Sequence, residues 1–229
     1  MTKQYELLNG KIVTTAYLDE SALKDLQILQ NKVIASLSNP SSLQPLSDEE
    51  FKFILQGKGA ILGAFHHDQL VAFRAILQPE NDEEHLGKDA GLSDEQLPYV
   101  IYSEISNVDP DYRGNHLQQL LGKQIVQSID RDRYHYICAT VAPFNIASLK
   151  DKFSLGMHIV ALKNKYGGLL RYVFMKNLLK QEMAVREIQE CQFVDMSNTE
   201  LQQTLLADGW IGTGIEESNG GWMVCYEKR

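Results

Sequence analysis

The chain is 229 residues long, 44% hydrophobic and 23% charged, with a net charge of −8. That composition belongs to a folded chain with apolar side chains enough for a full core, one domain of ordinary size plus a small appendage, and not to a disordered one. The acidic surplus excludes a general nucleic-acid binder, which needs a basic surface to displace counterions, and no apolar run approaches the roughly 18–20 residues that cross a bilayer.

Residues 11–18 carry β-branched side chains and read as a first strand. Residues 21–37 follow with Leu23, Leu26, Leu29, Val33, Ile34 and Leu37 at helical spacing, and the Asn39-Pro40-Ser41-Ser42 run breaks them off. Ser47-Asp48-Glu49-Glu50 is a capping box that opens a short helix through Phe51 and Ile54, stopped at Gly57. Two apolar runs, 60–65 and 70–77, are joined by His66-His67-Asp68-Gln69 and predict an antiparallel hairpin. His66 and His67 then sit at a turn with no third ligand nearby, so no metal site is expected there. The polar stretch 78–98 is longer than a connection needs, which suits a lid, an acceptor-site wall or a mobile loop.

Residues 99–108 predict the next strand, 115–129 a helix striped with Leu117, Leu121 and Ile125, and 135–141 another strand. A short helix over 146–155 ends at Gly156, and residues 158–163 and 169–175 flank Gly167-Gly168 as a second hairpin. From residue 179 the pattern changes. A strand over 187–194, a second capping box at Ser197-Asn198-Thr199-Glu200, a helix ending at Gly209 and a last hairpin around residues 218–221 make a β-α-β-β unit. The expected division is therefore a main domain over 1–178 and a C-terminal α+β appendage over 179–229. Cys138, Cys191 and Cys225 are odd in number, far apart and form no C-x-x-C. They read as reduced thiols of a cytoplasmic protein, and residues 1–6 show no apolar signal region.

The chemistry points to one stretch. In Val108-Asp109-Pro110-Asp111-Tyr112-Arg113-Gly114-Asn115-His116-Leu117-Gln118 a strand ends, a tight turn runs through Pro110 and Gly114, and an amphipathic helix begins at once. The first amides of such a helix have no intrahelical acceptor, and the helix dipole adds partial positive charge, so a diphosphate can be held locally in an acidic protein. On local physics alone the same residues also fit an ordinary strand–turn–helix in which Gly114 only serves the turn.

This stretch resembles the acetyl-CoA motif of the GNAT acetyltransferases, commonly V-x-P-x-Y-R-G-x-G-x-G. Asn145-Ile146-Ala147-Ser148, followed by Leu155-Gly156-Met157, resembles the N-x-x-A/S helix of that family ending in L-G-F. The Tyr166-Gly167-Gly168 turn is similar to one in bacterial members. The resemblance implies the GNAT fold, an α/β architecture with a mixed, twisted sheet flanked by helices, and acetyl-CoA between splayed strands at 99–108 and 135–141. It implies that amides of Arg113, Gly114, Asn115, His116, Leu117 and Gln118 hold the diphosphate, that a backbone N–H near Asn107 or Val108 binds the thioester carbonyl, and that Asn145 and Ser148 lie along the pantetheine arm. Asn145 reads equally as a helix N-cap. Two family glycines are replaced here by His116 and Gln118, which puts side chains where close approach is usual.

Glu104 is the candidate general base. On a strand, Ile101 and Ile105 share one face and Tyr102, Glu104 and Ser106 the other. A carboxylate mid-strand needs a reason, since burying it unpaired is costly; it is either that base or a solvated or arginine-paired glutamate. Family members often place a tyrosine acid before L-G-F, where this chain has Lys152 and Phe153, which leaves Tyr166 as the candidate acid. The reading is an acyl-CoA-dependent N-acyltransferase acting on a small-molecule or protein amine. Its rivals are a non-catalytic acyl-CoA sensor on the same fold, favoured by the altered glycines, and an interaction protein that works through its appendage, as in a homodimer.

Overall fold

The computed structural model describes residues 3–37, 43–80, 83–180, 190–218 and 220–228. In chain order the elements are β1 (Lys3–Glu6), β2 (Ile12–Tyr17), α1 (Leu23–Ala35), α2 (Asp48–Phe53), β3 (Gly59–His66), β4 (Gln69–Leu77), α3 (Leu86–Asp89) and β5 (Val100–Val108). They continue with α4 (Leu117–Ser128), β6 (Tyr136–Val141), α5 (Ile146–Ser154), β7 (His158–Lys165), β8 (Leu169–Asn177), β9 (Glu190–Asp195), α6 (Thr199–Ala207), β10 (Ile211–Ser218) and β11 (Gly221–Lys228). The break expected at 39–42, the first residues of the strand expected from 187, and Asn219 of the last turn lie outside the described residues.

Two compact units emerge. The first comprises Met1–Gln78 and Tyr102–Ile129. Its strands follow the order β1-β2-β3-β4-β5, antiparallel at every step. One face of this sheet is closed by α1 and α2. Leu26, Leu29 and Val33, spaced for one helix face, meet Phe51, Ile54, Ile61, Phe73 and Ile105 in a single cluster. Each such side chain, fully buried, contributes about 1.5–3 kcal/mol. The expected capping box holds: Ser47 accepts from the Glu50 N–H, and Glu50 accepts from the Ser47 N–H. Helix α4 packs with β4 through Leu117, Leu121 and Ile125, all at most 1% exposed.

The second unit comprises Pro79–Ile101 and Asp130–Arg229, with strand order β6-β8-β7-β10-β11-β9, again antiparallel throughout. The C-terminal β-α-β-β segment continues this sheet. Gly212 of β10 pairs with Ile159 of β7, and a Cβ at Gly212 would stand 2.8 Å from the Ile159 Cβ, so only glycine permits that approach. Below the sheet, the hydroxyls of Tyr172 and Tyr226 both donate to Oε1 of Gln202, at 2.7 and 3.0 Å, and Gln202 Nε2 donates to the Met196 carbonyl at 2.9 Å. All three side chains are fully buried.

The second capping box is not the one read from the sequence. Asn198 caps α6 by accepting from the Leu201 N–H, because the Ser197 N–H and hydroxyl are both engaged by Asp195. Within the stretch 78–98, Asp89 accepts from Lys163 at 2.8 Å and from Lys165 at 2.9 Å, and Lys165 also reaches Glu84 at 2.7 Å. These pairs tie the stretch to β7.

Candidate functional site

Strand β5 is irregular at Glu104. Ala75 of β4 pairs with Ile105, but the next residue, Ile76, pairs with Ser103, so Glu104 is an inserted bulge residue with no opposite number on β4. The bulge overturns the simple alternation expected here. Tyr102 pairs with Leu77 and Ser106 with Arg74, and positions 74 and 77 face opposite sides of β4, so Tyr102 and Ser106 do not share a face. Instead Ser103 lies on the Arg74 side and accepts from its guanidinium at 2.9 Å. Arg74 is fully buried, and its other terminal nitrogen donates to the Gln118 carbonyl at 3.2 Å, joining the bulged strand to the first turn of α4. Glu104 itself is half-buried.

At the strand's end the Asp109 N–H donates to Val71 of β4 at 2.9 Å. Alternation along the strand therefore turns the Val108 N–H away from β4. Asn107 is 1% exposed, and among the described residues neither its Oδ1 nor its Nδ2 has a hydrogen-bond partner.

The turn that follows is held from several sides. Asp109 accepts from the Asp111 N–H and opens a 3₁₀ turn over Pro110–Tyr112. Lys32 of α1 reaches Asp109 at 2.7 Å and Asp111 at 2.8 Å. Those bonds, that of Asp109 first, raise the Lys32 ammonium above its ordinary range, while its bond with Lys32 lowers the Asp111 carboxyl. One ammonium thus bridges both carboxylates of the turn and offsets one of their two charges. Tyr112 is buried, with Lys11 Nζ 4.3 Å above its ring centre, and Arg113 donates to the Ser36 hydroxyl at 2.7 Å. Asn115 accepts from the Asn9 N–H at 3.1 Å and donates to the Tyr112 carbonyl at 3.1 Å.

Gly114 adopts φ +78°, and a Cβ there would project into open space. His116 is the N-cap of α4 at φ 57°, in the left-handed region, and its side chain makes no capping bond. A histidine therefore takes up a backbone conformation that glycine adopts without penalty, at a cost of about 1–2 kcal/mol. The first amide to bond back along the helix is that of Leu120, to the His116 carbonyl at 2.9 Å. The amides ahead of it are those a helix leaves without an intrahelical acceptor, and the first turn carries no acidic side chain to occupy them.

No family model matches the sequence, and no curated protein matches it in sequence. Solved structures do match its shape. An acetyltransferase of the GNAT family from Streptococcus pneumoniae superposes with a TM-score of 0.55 at 14% identity, covering 72% of this chain and 98% of its own. The ribosomal-protein-S18-alanine N-acetyltransferase of Escherichia coli matches with 0.54 at 14% identity over 76% of this chain and 99% of its own. The chain has the GNAT acetyltransferase fold. A third match is yncA of Salmonella typhimurium, solved with its cofactor acetyl-CoA, with 0.53 at 16% identity over 76% of this chain and 96% of its own. Each match spans nearly the whole of the other protein and leaves about a quarter of this chain outside it.

Of the residues singled out within the GNAT fold, Glu104, Asn107, Val108, Arg113, Gly114, Asn115, His116, Leu117 and Gln118 belong to the first unit, while Asn145, Ser148 and Tyr166 belong to the second. Asn145 caps α5, its Oδ1 accepting from the Ser148 N–H at 3.3 Å. That is the N-cap alternative read from the sequence. Tyr166 is exposed at the β7–β8 turn with φ 52°, its hydroxyl 3.1 Å from Thr140 Oγ1. Lys152, where family members often carry tyrosine, is 6% exposed and donates to Asp151 at 3.2 Å. The Glu104 bulge, the buried Arg74 link and the Lys32 clamp were not predicted. Register shifts leave no periodic trace, although a charged residue in an apolar strand, such as Arg74, is a readable signal.

Proposed function

We propose that this chain is an acyl-CoA-dependent N-acyltransferase, with acetyl-CoA as co-substrate and an amine as acceptor. The observation that carries the reading is the start of α4. It follows the Val108–Gly114 motif, opens in a left-handed turn, lacks a side-chain cap, and is preceded by two carboxylates that Lys32 bridges. In this reading the amides from Gly114 to Gln118 bind the diphosphate of CoA, the Arg113 N–H being engaged by the Pro110 carbonyl at 3.3 Å, and the dipole of α4 supplies the charge that the acidic protein as a whole does not. The likeness to GNAT structures, one of them holding acetyl-CoA, supports the same assignment.

The chemistry then needs little else. The Val108 N–H, turned away from β4, donates to the thioester carbonyl and stabilises the oxyanion that forms as the amine attacks. The Glu104 carboxylate takes the proton that the amine must lose, directly or through water. The new C–N bond forms as the C–S bond breaks, and the departing thiolate, with a thiol pKa of about 8.5, leaves without much help. The buried Asn107 amide is a further donor–acceptor pair suited to the amide-rich pantetheine arm. The roles proposed for Asn145 and Ser148 along that arm, and for Tyr166 as proton donor, are separable from this core, and Tyr166→Phe tests the last.

The test is thiol release from acetyl-CoA across a panel of small amines, amino acids and peptides with free N-termini. At least one acceptor should give turnover, and Glu104→Gln should lower it by about a hundredfold or more. Binding of acetyl-CoA with no release on any amine would favour the sensor reading, to which the left-handed His116 in place of glycine lends support.

A further inference from the structure

Two of the three cysteines, distant in sequence, meet in space. Cys191 lies on β9 and Cys225 on β11, and their Sγ atoms are 3.6 Å apart. The ladder pairs Cys225 with Phe193 and Cys191 with Glu227, so the two thiols are diagonal neighbours on one face of the sheet. Cys191 is exposed and Cys225 half-buried. Packing does not explain Cys191, since an exposed thiol buries little. Cys138 differs in every respect: it is fully buried, and burial pushes its thiol up to about 12.

We propose that Cys191 and Cys225 form a thiol pair that reacts with low-molecular-weight disulfides to give a reversible cross-strand bridge. Exposed Cys191 reacts first. Its thiolate attacks one sulfur of the small disulfide, forming a mixed disulfide and releasing one small thiolate. Cys225, whose thiol is raised by its partial burial, then loses its proton and attacks the Cys191 sulfur at contact distance, releasing the second small thiol. Two thiols of the protein are oxidised by two electrons, and one small disulfide is reduced to two thiols.

The geometry also sets the lability of that bond. Closing from 3.6 Å to a disulfide length of about 2.05 Å draws the two sulfurs together by about 1.5 Å. A diagonal pair starts from a longer backbone separation than a directly opposed one, so the bridge pulls on the ladder and is strained. Strand β9 ends the strand order and has β11 as its one partner among the described residues, so it is the strand that gives. Strained bridges are readily reduced, which makes this a reversible site rather than a permanent staple.

Oxidised glutathione is the probe and intact mass the readout, with the full chain. The wild type should lose about 2 Da, two hydrogens, with no retained adduct, and dithiothreitol should restore the mass. Cys225→Ser should instead hold one glutathionyl group on Cys191, and Cys138→Ser should behave as the wild type. A wild-type chain that keeps glutathione, forms covalent dimers, or stays unreacted while its melting curve shows it folded would overturn the proposal. The readout needs no acyl transfer, so failure here leaves the proposed function untouched.

Discussion

Helices α4 and α5 begin in opposite ways. Asn145 closes the start of α5 with its own side chain, as Asn198 closes α6 and Ser47 with Glu50 closes α2. Helix α4 starts from a left-handed histidine that caps nothing. The wider surroundings show the same contrast. In the second unit two clusters are matched internally, Gln202 with two tyrosines and Asp89 with two lysines. In the first unit the two acidic side chains of the turn share Lys32, and no side chain caps the helix start beside them. Helix α1 also starts without a side-chain cap, at Ala22, but from a right-handed residue that continues a 3₁₀ turn. Helix α4 is uncapped at a left-handed one, and its open start is the one proposed to hold an anion.

The sharpest way to break this contrast is Gly114→Trp. Its side chain would enter the open space before the loop, and the residue would be held at a φ that side chains resist. Acetyl-CoA binding measured by calorimetry should fall at least about a hundredfold. Unchanged affinity would mean the loop is not the binding site. Next in size is Gln202→Leu, which strands two buried tyrosine hydroxyls in the second unit. Denaturant unfolding should show a loss of about 2–3 kcal/mol, with CoA binding unaltered.

A smaller, paired comparison addresses the two helix starts directly. Asn145→Ala should cost about 1 kcal/mol of stability by uncapping α5. His116→Gly should change stability little or raise it by up to about 1 kcal/mol, because relief of the left-handed strain is partly offset by the entropy glycine adds to the unfolded chain. If His116→Gly cost as much as Asn145→Ala, the histidine would be supporting α4 after all. The smallest effect is on pH dependence. Burial would raise the Asp89 carboxyl, but bonds from Lys163 and Lys165 outweigh it and hold the carboxyl below its usual range. A depressed carboxyl adds stability above its unfolded pKa of about 3.9 and loses it as pH falls through the folded value. The advantage of the wild type over Asp89→Asn in thermal melts should therefore fade below about pH 4.

Much of the architecture was legible because apolar periodicity and turn residues report it directly. The 60–65 and 70–77 runs became β3 and β4, and the Ser47 capping box opened α2 as written. Strand β1, with sequence Lys-Gln-Tyr-Glu, was missed: a four-residue edge strand with only Tyr5 half-buried carries little apolar signal. The expected face-sharing of Tyr102, Glu104 and Ser106 failed because a bulge shifts pairing by one residue without altering composition. At the site, the motif from Val108 to Gly114 was readable as residues, yet nothing in the spelling announced that His116 would adopt a glycine's conformation or that Lys32 would arrive from α1 to bridge two aspartates. Such contacts join positions far apart in the chain, as do Cys191 and Cys225, and single-sequence patterns report only near neighbours.

The central claim is that main-chain donors opening α4 bind a diphosphate, and titration calorimetry of the purified chain with CoA and, separately, with pantetheine tests it most directly. The account predicts measurable heat with CoA and at least about tenfold weaker binding of pantetheine, which lacks the diphosphate. Equal affinity for the two ligands, or no heat with CoA from a chain shown to be folded, would contradict it.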